Sequence, residues 1–202
     1  AESRDEVNWV AKLYPWSRSY LDVYDRFGLL RERAIYAHCL HLDEPDRGRM
    51  GATGAAMAFC PTSNLFLGSG LFDLEAARRH GVAVAIGTDV GGGTSFSMLR
   101  TLDEAYKVAH LLHQRLSPFA ALYLATLGGA RALRLDHRIG NFAVGKEADF
   151  VVLDLEATPL LERRMQSLST VEERLFALIM LGDDRSVFET YLMGERRHAR
   201  DA

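Results

Sequence analysis

Three short, nearly continuous apolar runs organise the first ninety residues: 34–39 (AIYAHC), 55–60 (AAMAFC) and 82–87 (VAVAIG). Runs this short without polar alternation suit parallel strands covered on both faces. Residues 72–80 between the last two read as a helix, closed by Gly81 where a left-handed backbone is tolerated. Upstream, residues 3–13 carry acids in their first turn and Val7, Val10, Leu13 and Tyr14 at helical spacing, and the pattern stops before Pro15. The intervening stretch, rich in Arg, Ser and Tyr, reads as a loop. Strand follows strand at intervals of about 22 to 28 residues, the rhythm of right-handed parallel crossovers.

Farther along, residues 97–114 form an amphipathic pattern with Met98, Leu102, Ala105, Tyr106 and Ala109 on one side. A second helix starts at Ser117-Pro118, an N-cap followed by proline at the first helical position, and runs to the Gly128-Gly129 pair. The character then changes. Residues 139–146 are punctuated by glycine, 150–153 read as a strand, 170–181 as a helix ended by Gly182, and 187–192 as a final strand turning at Met193-Gly194. These signals place a boundary near residue 138, dividing an α/β part (1–137) from a smaller β-rich part (138–202).

Composition narrows the class. The chain has 202 residues, 48% hydrophobic and 25% charged, which excludes disordered and collagen-like chains. A chain of this length buries roughly 70% of its unfolded surface, enough to support a core. Against 27 acidic residues stand 24 basic ones, all but three of them Arg, for a net charge of -3. The arginines are scattered or paired with acids, so a solvated surface is expected and no nucleic-acid interface. No apolar run reaches the roughly 18 residues a membrane span needs, and no basic-then-apolar leader opens the chain, so a cytoplasmic setting is expected. Cys39 and Cys60 form no C-x-x-C pair and read as buried thiols.

Candidate chemistry sits just past the apolar runs, where α/β proteins place their active sites. His38, the cluster Thr62-Ser63-Asn64, and Asp89 occupy those positions. A histidine there can bind a metal or hold a water, and an aspartate can ligate a metal and take a proton. Taken alone, His38 reads equally as a core histidine bonded to a carbonyl, and Asp89 as a helix cap or loop brace. The following Gly91-Gly92-Gly93-Thr94-Ser95 could cradle a phosphate, but it lacks the G-K-[ST] ending and the G-x-G-x-x-G spacing. His41 is expected at the surface. His80, His110, His113, His137 and His198 have no ligand spacing and read as solvated.

Taken together these segments carry more. The run 1–7 (AESRDEV), the strand end Ala37-His38-Cys39, the segment 59–65 (FCPTSNL) with Gly68-Ser69-Gly70, and 87–93 (GTDVGGG) occur in the order found in the amidohydrolase superfamily. The glycines and residues 95–98 after Asp89, with the run 181–185 (LGDDR), resemble its guanine-deaminating branch. Residues 125–130, 139–142 and 144–149 extend the resemblance to nearly the whole chain, as a C-terminal half.

The resemblance implies a (β/α)8 TIM barrel of the metal-dependent hydrolase type with a composite β-sandwich, one zinc ion, and hydrolysis of guanine to xanthine and ammonia. It further implies that Asp89 is a zinc ligand that also shuttles the proton of the attacking water. His38 would orient that water, and Glu2 would protonate a ring nitrogen of the purine and help anchor it. The family's H-x-H pair, the histidine three positions before Glu2 and the Arg-Phe pair that reads the purine would all fall before residue 1. The chain is therefore expected to be a fragment, inactive alone, in a family that commonly forms homodimers. Two alternatives remain: a non-catalytic half stable only through association, and an amidohydrolase acting on a triazine, cytosine or methylthioadenosine-like substrate.

Overall fold

The computed structural model describes residues 1–200. The apolar runs become β1 (Ile35–Ala37), β2 (Ala56–Phe59) and β3 (Ala83–Ile86) of one parallel sheet in the order β1-β2-β3. Ile35 pairs with Ala56, which pairs with Ala83. Central β2 alternates small Ala56 and Ala58 with buried Met57 and Phe59, and the Phe59 ring stacks on Phe72 with centroids 4.7 Å apart. Burial of the edge strands is less complete than the apolar runs imply, because each has a single strand neighbour, and Ile35 remains 40% exposed.

Two helices precede β1: α1 (Arg4–Leu13), capped by the Ser3 side chain, and α2 (Tyr20–Arg26), where a loop is expected. α3 (Glu44–Thr53) joins β1 to β2; Asp43 caps its start and Gly54, at φ 71°, closes it. α4 (Pro61–Phe66) and α5 (Leu74–Arg79) join β2 to β3. Asp46 of α3 is buried, yet it accepts hydrogen bonds from Arg18, from Arg49 (2.7 Å) and from Ser19 (3.1 Å). A buried carboxylate is tolerated only when paired and hydrogen-bonded in this way. Arg49 also reaches Asp22 at 2.6 Å, so one charge network fastens α2 to α3.

Beyond β3 follow α6 (Met98–Leu111), α7 (Pro118–Ala125) and α8 (Leu127–Ala132). The single helix expected from residue 117 is broken at Thr126, whose ψ of -101° is not helical. A Cβ at Gly128 would stand 3.0 Å from the Tyr123 ring, so glycine permits this close approach. The core continues past residue 138. Leu161 and Met165 of α9 (Pro159–Met165), with Ala177, Leu178 and Ile179 of α10 (Val171–Leu181), join the same buried cluster as Met57 and Phe59. The remaining strands, β4 (Phe150–Leu153), β5 (Val187–Leu192) and β6 (Glu195–Ala199), make a separate antiparallel sheet in which Phe150 stacks on Tyr191 at 4.4 Å. β6 is exposed throughout, and its sequence ERRHA gives no apolar signal. No helix among the described residues is long and apolar enough to cross a membrane.

Two glycines on α3 separate close packing from helix propensity. A Cβ at Gly51 would overlap the His80 carbonyl oxygen, whereas one at Gly48 would lie 3.8 Å from His80 Nδ1, an ordinary contact. Gly51→Ala is expected to destabilise the fold by about 1–3 kcal/mol, and Gly48→Ala to stabilise it by up to about 1 kcal/mol. Urea midpoints of the two variants would check both signs. The charge network adds a pH dependence. Burial works against the Asp22 charge, but hydrogen bonds from the Arg18 amide and the Arg49 guanidinium hold its carboxyl below the ordinary range. Asp43 is held low in the same sense, against burial, by the Asp46 amide and Arg18. A group with a depressed folded-state pKa stabilises above its unfolded value and loses that contribution as pH falls through the folded one. Denaturation midpoints should therefore drop as pH falls below about 4, and Asp22→Asn should flatten that slope.

Candidate active site

His38 and Asp89 each follow a strand in an uncommon conformation. His38 stays in register through its amide, bonded to the Ala58 carbonyl at 3.0 Å, but its φ is 65° and that of Cys39 is 53°. The Cys39 amide bonds back to the Ala37 carbonyl at 2.8 Å, closing a γ-turn around His38. Asp89, after β3, has φ 48°. Left-handed backbone at non-glycine residues is strained and concentrates at functional sites. The glycine run braces Asp89: the Gly93 amide bonds the Asp89 carbonyl at 2.5 Å, and a Cβ at Gly93 would overlap the Thr88 carbonyl. Thr62 Oγ1 donates to that same Thr88 carbonyl at 2.9 Å. Because Gly91 and Gly93 use their amides inside the turn, the run is a brace for Asp89 and no phosphate cradle.

Glu2 reaches the same place from the other side. Its amide donates to Glu6 Oε2 at 2.8 Å, and its carbonyl accepts from His41 Nε2 at 3.1 Å. Glu6 is itself held by the Tyr20 hydroxyl at 2.8 Å. His41, expected at the surface, is half-buried against this backbone; burial, then the nearby Arg4 charge, lowers its pKa. The Glu2 side chain accepts from Ser69 Oγ (3.2 Å) and Asn64 Nδ2 (3.4 Å), both at Oε1. His38 lies between the two acids, with Nδ1 3.7 Å from Glu2 Oε1 and Nε2 3.8 Å from Asp89 Oδ2. Of the sequence candidates, Glu2, His38, Asn64 and Asp89 converge. Thr62 and Ser63 instead bond to backbone carbonyls beneath them.

The grouping with metal-binding potential among the described residues is His38, Cys60 and Asp89, whose ligand atoms lie within 4.8 Å of one another. Burial pushes the Cys60 thiol up to about 11, so without an ion it stays protonated at neutral pH. The Asp89 carboxylate and the His38 imidazole are then the donors available at the opening. Residue spacing offered no route to Glu6 or His41, whose partners lie far away in sequence or on the backbone. Cys60 and Ser69 entered only as members of the segments 59–65 and 68–70, with no role read for either.

A parallel sheet whose strand ends hold a histidine and an aspartate, joined by a glutamate from a preceding segment, is an arrangement able to hold a metal ion or a water. The chain belongs to the Amidohydrolase family, whose sequence pattern residues 1–196 match. Among its relatives is guanine deaminase of Escherichia coli (strain K12), 51% identical over 99% of this chain and 46% of the relative. The Homo sapiens guanine deaminase is 37% identical over 97% of this chain and 45% of its own. The solved structure of the E. coli guanine deaminase superposes with a TM-score of 0.97, covering 99% of this chain and 47% of that one. Guanine deaminase from C. acetobutylicum, solved with guanine in its active site, gives a TM-score of 0.85 at 28% identity, over 96% of this chain and 46% of that one. The chain thus spans about half the length of the curated relatives it matches.

Proposed function

We propose that this chain supplies the C-terminal part of a zinc-dependent aminohydrolase that converts guanine to xanthine and ammonia. On this reading β1, β2 and β3 are the sixth, seventh and eighth strands of a (β/α)8 barrel, and β4–β6 contribute to a β-sandwich. The supporting observation is the convergence of Glu2, His38 and Asp89 on one opening, with His38 midway between the acids at 3.7 and 3.8 Å. Both separations are too long for direct hydrogen bonds. A water oxygen about 2.8 Å from both His38 Nε2 and Asp89 Oδ2 would bridge that pair.

Such a water would be positioned by His38 and would pass a proton to Asp89 as its oxygen bonds to C2 of the purine. Glu2 would donate a proton to the adjacent ring nitrogen, so that the electron pair of the ring C=N bond moves to nitrogen. As the exocyclic C–N bond breaks, Asp89 would return its proton to the departing nitrogen and release ammonia. The new hydroxyl proton would go back to Glu2, restoring both acids. Asp89 is the residue that would hold zinc, whose contribution when bound is to bring the pKa of water to about 7. A catalytic zinc commonly takes three protein ligands, so the remaining ones would come from residues beyond this chain.

The test grafts these residues into the E. coli guanine deaminase in place of its matching segment. The chimera is expected to bind one zinc and to release ammonia and xanthine from guanine. The 202 residues alone are expected to hold little zinc and to convert none. In the chimera, Asp89→Ala should lower kcat by about a thousandfold or more, and Glu2→Gln should retain zinc while losing about a hundredfold or more. A folded, zinc-loaded chimera that ignores guanine but acts on cytosine or a triazine would overturn the substrate. Undiminished turnover in Asp89→Ala would overturn its role.

A further inference from the structure

Asn64 is the buried polar residue at this site to which the chemistry above gives no part. It lies on α4, directly after β2, and its side-chain nitrogen faces two acceptors at once: His38 Nδ1 at 2.9 Å and Glu2 Oε1 at 3.4 Å. The amide orientation follows from this pair. Turned over, its oxygen would confront the Glu2 carboxylate oxygen. In the observed orientation Oδ1 is buried and accepts nothing from the described residues. Burying a polar atom without a partner is unfavourable, so the position is held for something other than packing.

We propose that Asn64 is a positioning residue that fixes the proton of His38 on Nε2 and, with Ser69, reserves Glu2 Oε1 so that Oε2 does the proton transfer. Which ring nitrogen of a neutral histidine carries the proton is set by the hydrogen bond its other nitrogen makes. Here Nδ1 receives an N–H and must be the acceptor, so Nε2 is the donor on the side facing Asp89. A donor at Nε2 beside an acceptor at Asp89 Oδ2 gives a water one hydrogen bond to its oxygen and one outlet for its proton, leaving a lone pair free to attack. With the opposite tautomer both groups would be acceptors, and the water oxygen would lose its donor. On the acid side Ser69 and Asn64 both donate to Oε1, and among the described residues nothing donates to Oε2.

The inference rests on the reading of His38 as the group that orients the attacking water, and the test separates the two. In the chimera carrying 15N-labelled histidine, the ring-nitrogen shifts of His38, assigned by their loss in His38→Asn, report directly which nitrogen is protonated. Wild type should show Nε2–H and a pyridine-like Nδ1. Asn64→Asp keeps the shape but presents an oxygen to Nδ1. Ionised, that oxygen accepts from Nδ1; sharing a proton with Glu2, it still accepts there. The proton should therefore move to Nδ1, and kcat should fall about a hundredfold or more, with KM within about threefold of wild type. Ser69→Ala should lower kcat while leaving the His38 shifts in place. A wild-type His38 protonated on Nδ1, or an Asn64→Asp variant with unchanged shifts, would overturn the assignment. A wild type with the expected shifts that leaves guanine untouched would overturn the proposed reaction and leave the tautomer assignment standing.

Discussion

Parallel pairing fixes the distances that everything at the site must accommodate. Adjacent strands run about 4.8 Å apart, so the ends of β1 and β3, with β2 between them, are separated by about 10 Å of backbone. Groups that must share a small ligand cannot simply continue along those strands. The γ-turn at His38 and the left-handed step at Asp89 lean the two side chains inward over the end of β2, to within 3.8 Å. The third strand end then cannot carry a projecting group of its own. It drops at once into α4, whose proline start suits an abrupt helix and whose Asn64 supports the site from below.

The surrounding structure keeps those turns from relaxing. Phe59, Met57 and Phe72 form a rigid floor, and Leu178 and Ile179 extend it from the far end of the chain. The glycine run locks Asp89 by its backbone, and Thr62 ties down the residue before it. Glu2 has no strand beneath it, so it is gripped at its amide, its carbonyl and its carboxylate by Glu6, His41, Asn64 and Ser69. The charge network on Asp46 holds α2 against α3 and so keeps Tyr20 in reach of Glu6.

The parts of this design legible in sequence are those that rest on local pattern. β1, β2 and β3 are visible because strands inside an α/β layer must be apolar on both faces, and His38 and Asp89 stand out as the polar residues that end such runs. α2, α3, α4 and α9 leave weaker traces. α3 holds two glycines, and α4 is hardly more than a turn, so neither has a long apolar stripe. β6 is recognisable only through its partner β5, because a solvent-facing hairpin strand needs no hydrophobic residue. The placement of Glu2 is the least local of all: its side-chain partners lie 62 and 67 residues away, a separation that composition and periodicity cannot register.

The left-handed turns at His38 and Asp89 set durability and chemistry in opposition. At a positive φ, glycine is the residue the backbone itself prefers, followed by asparagine. A selection for thermal resistance alone would drift both positions toward those residues, and a selection for turnover would drive them back. Under the proposed reaction, two of the three residues that act in it are ones the backbone would rather replace, so durability and turnover pull on these positions in opposite directions.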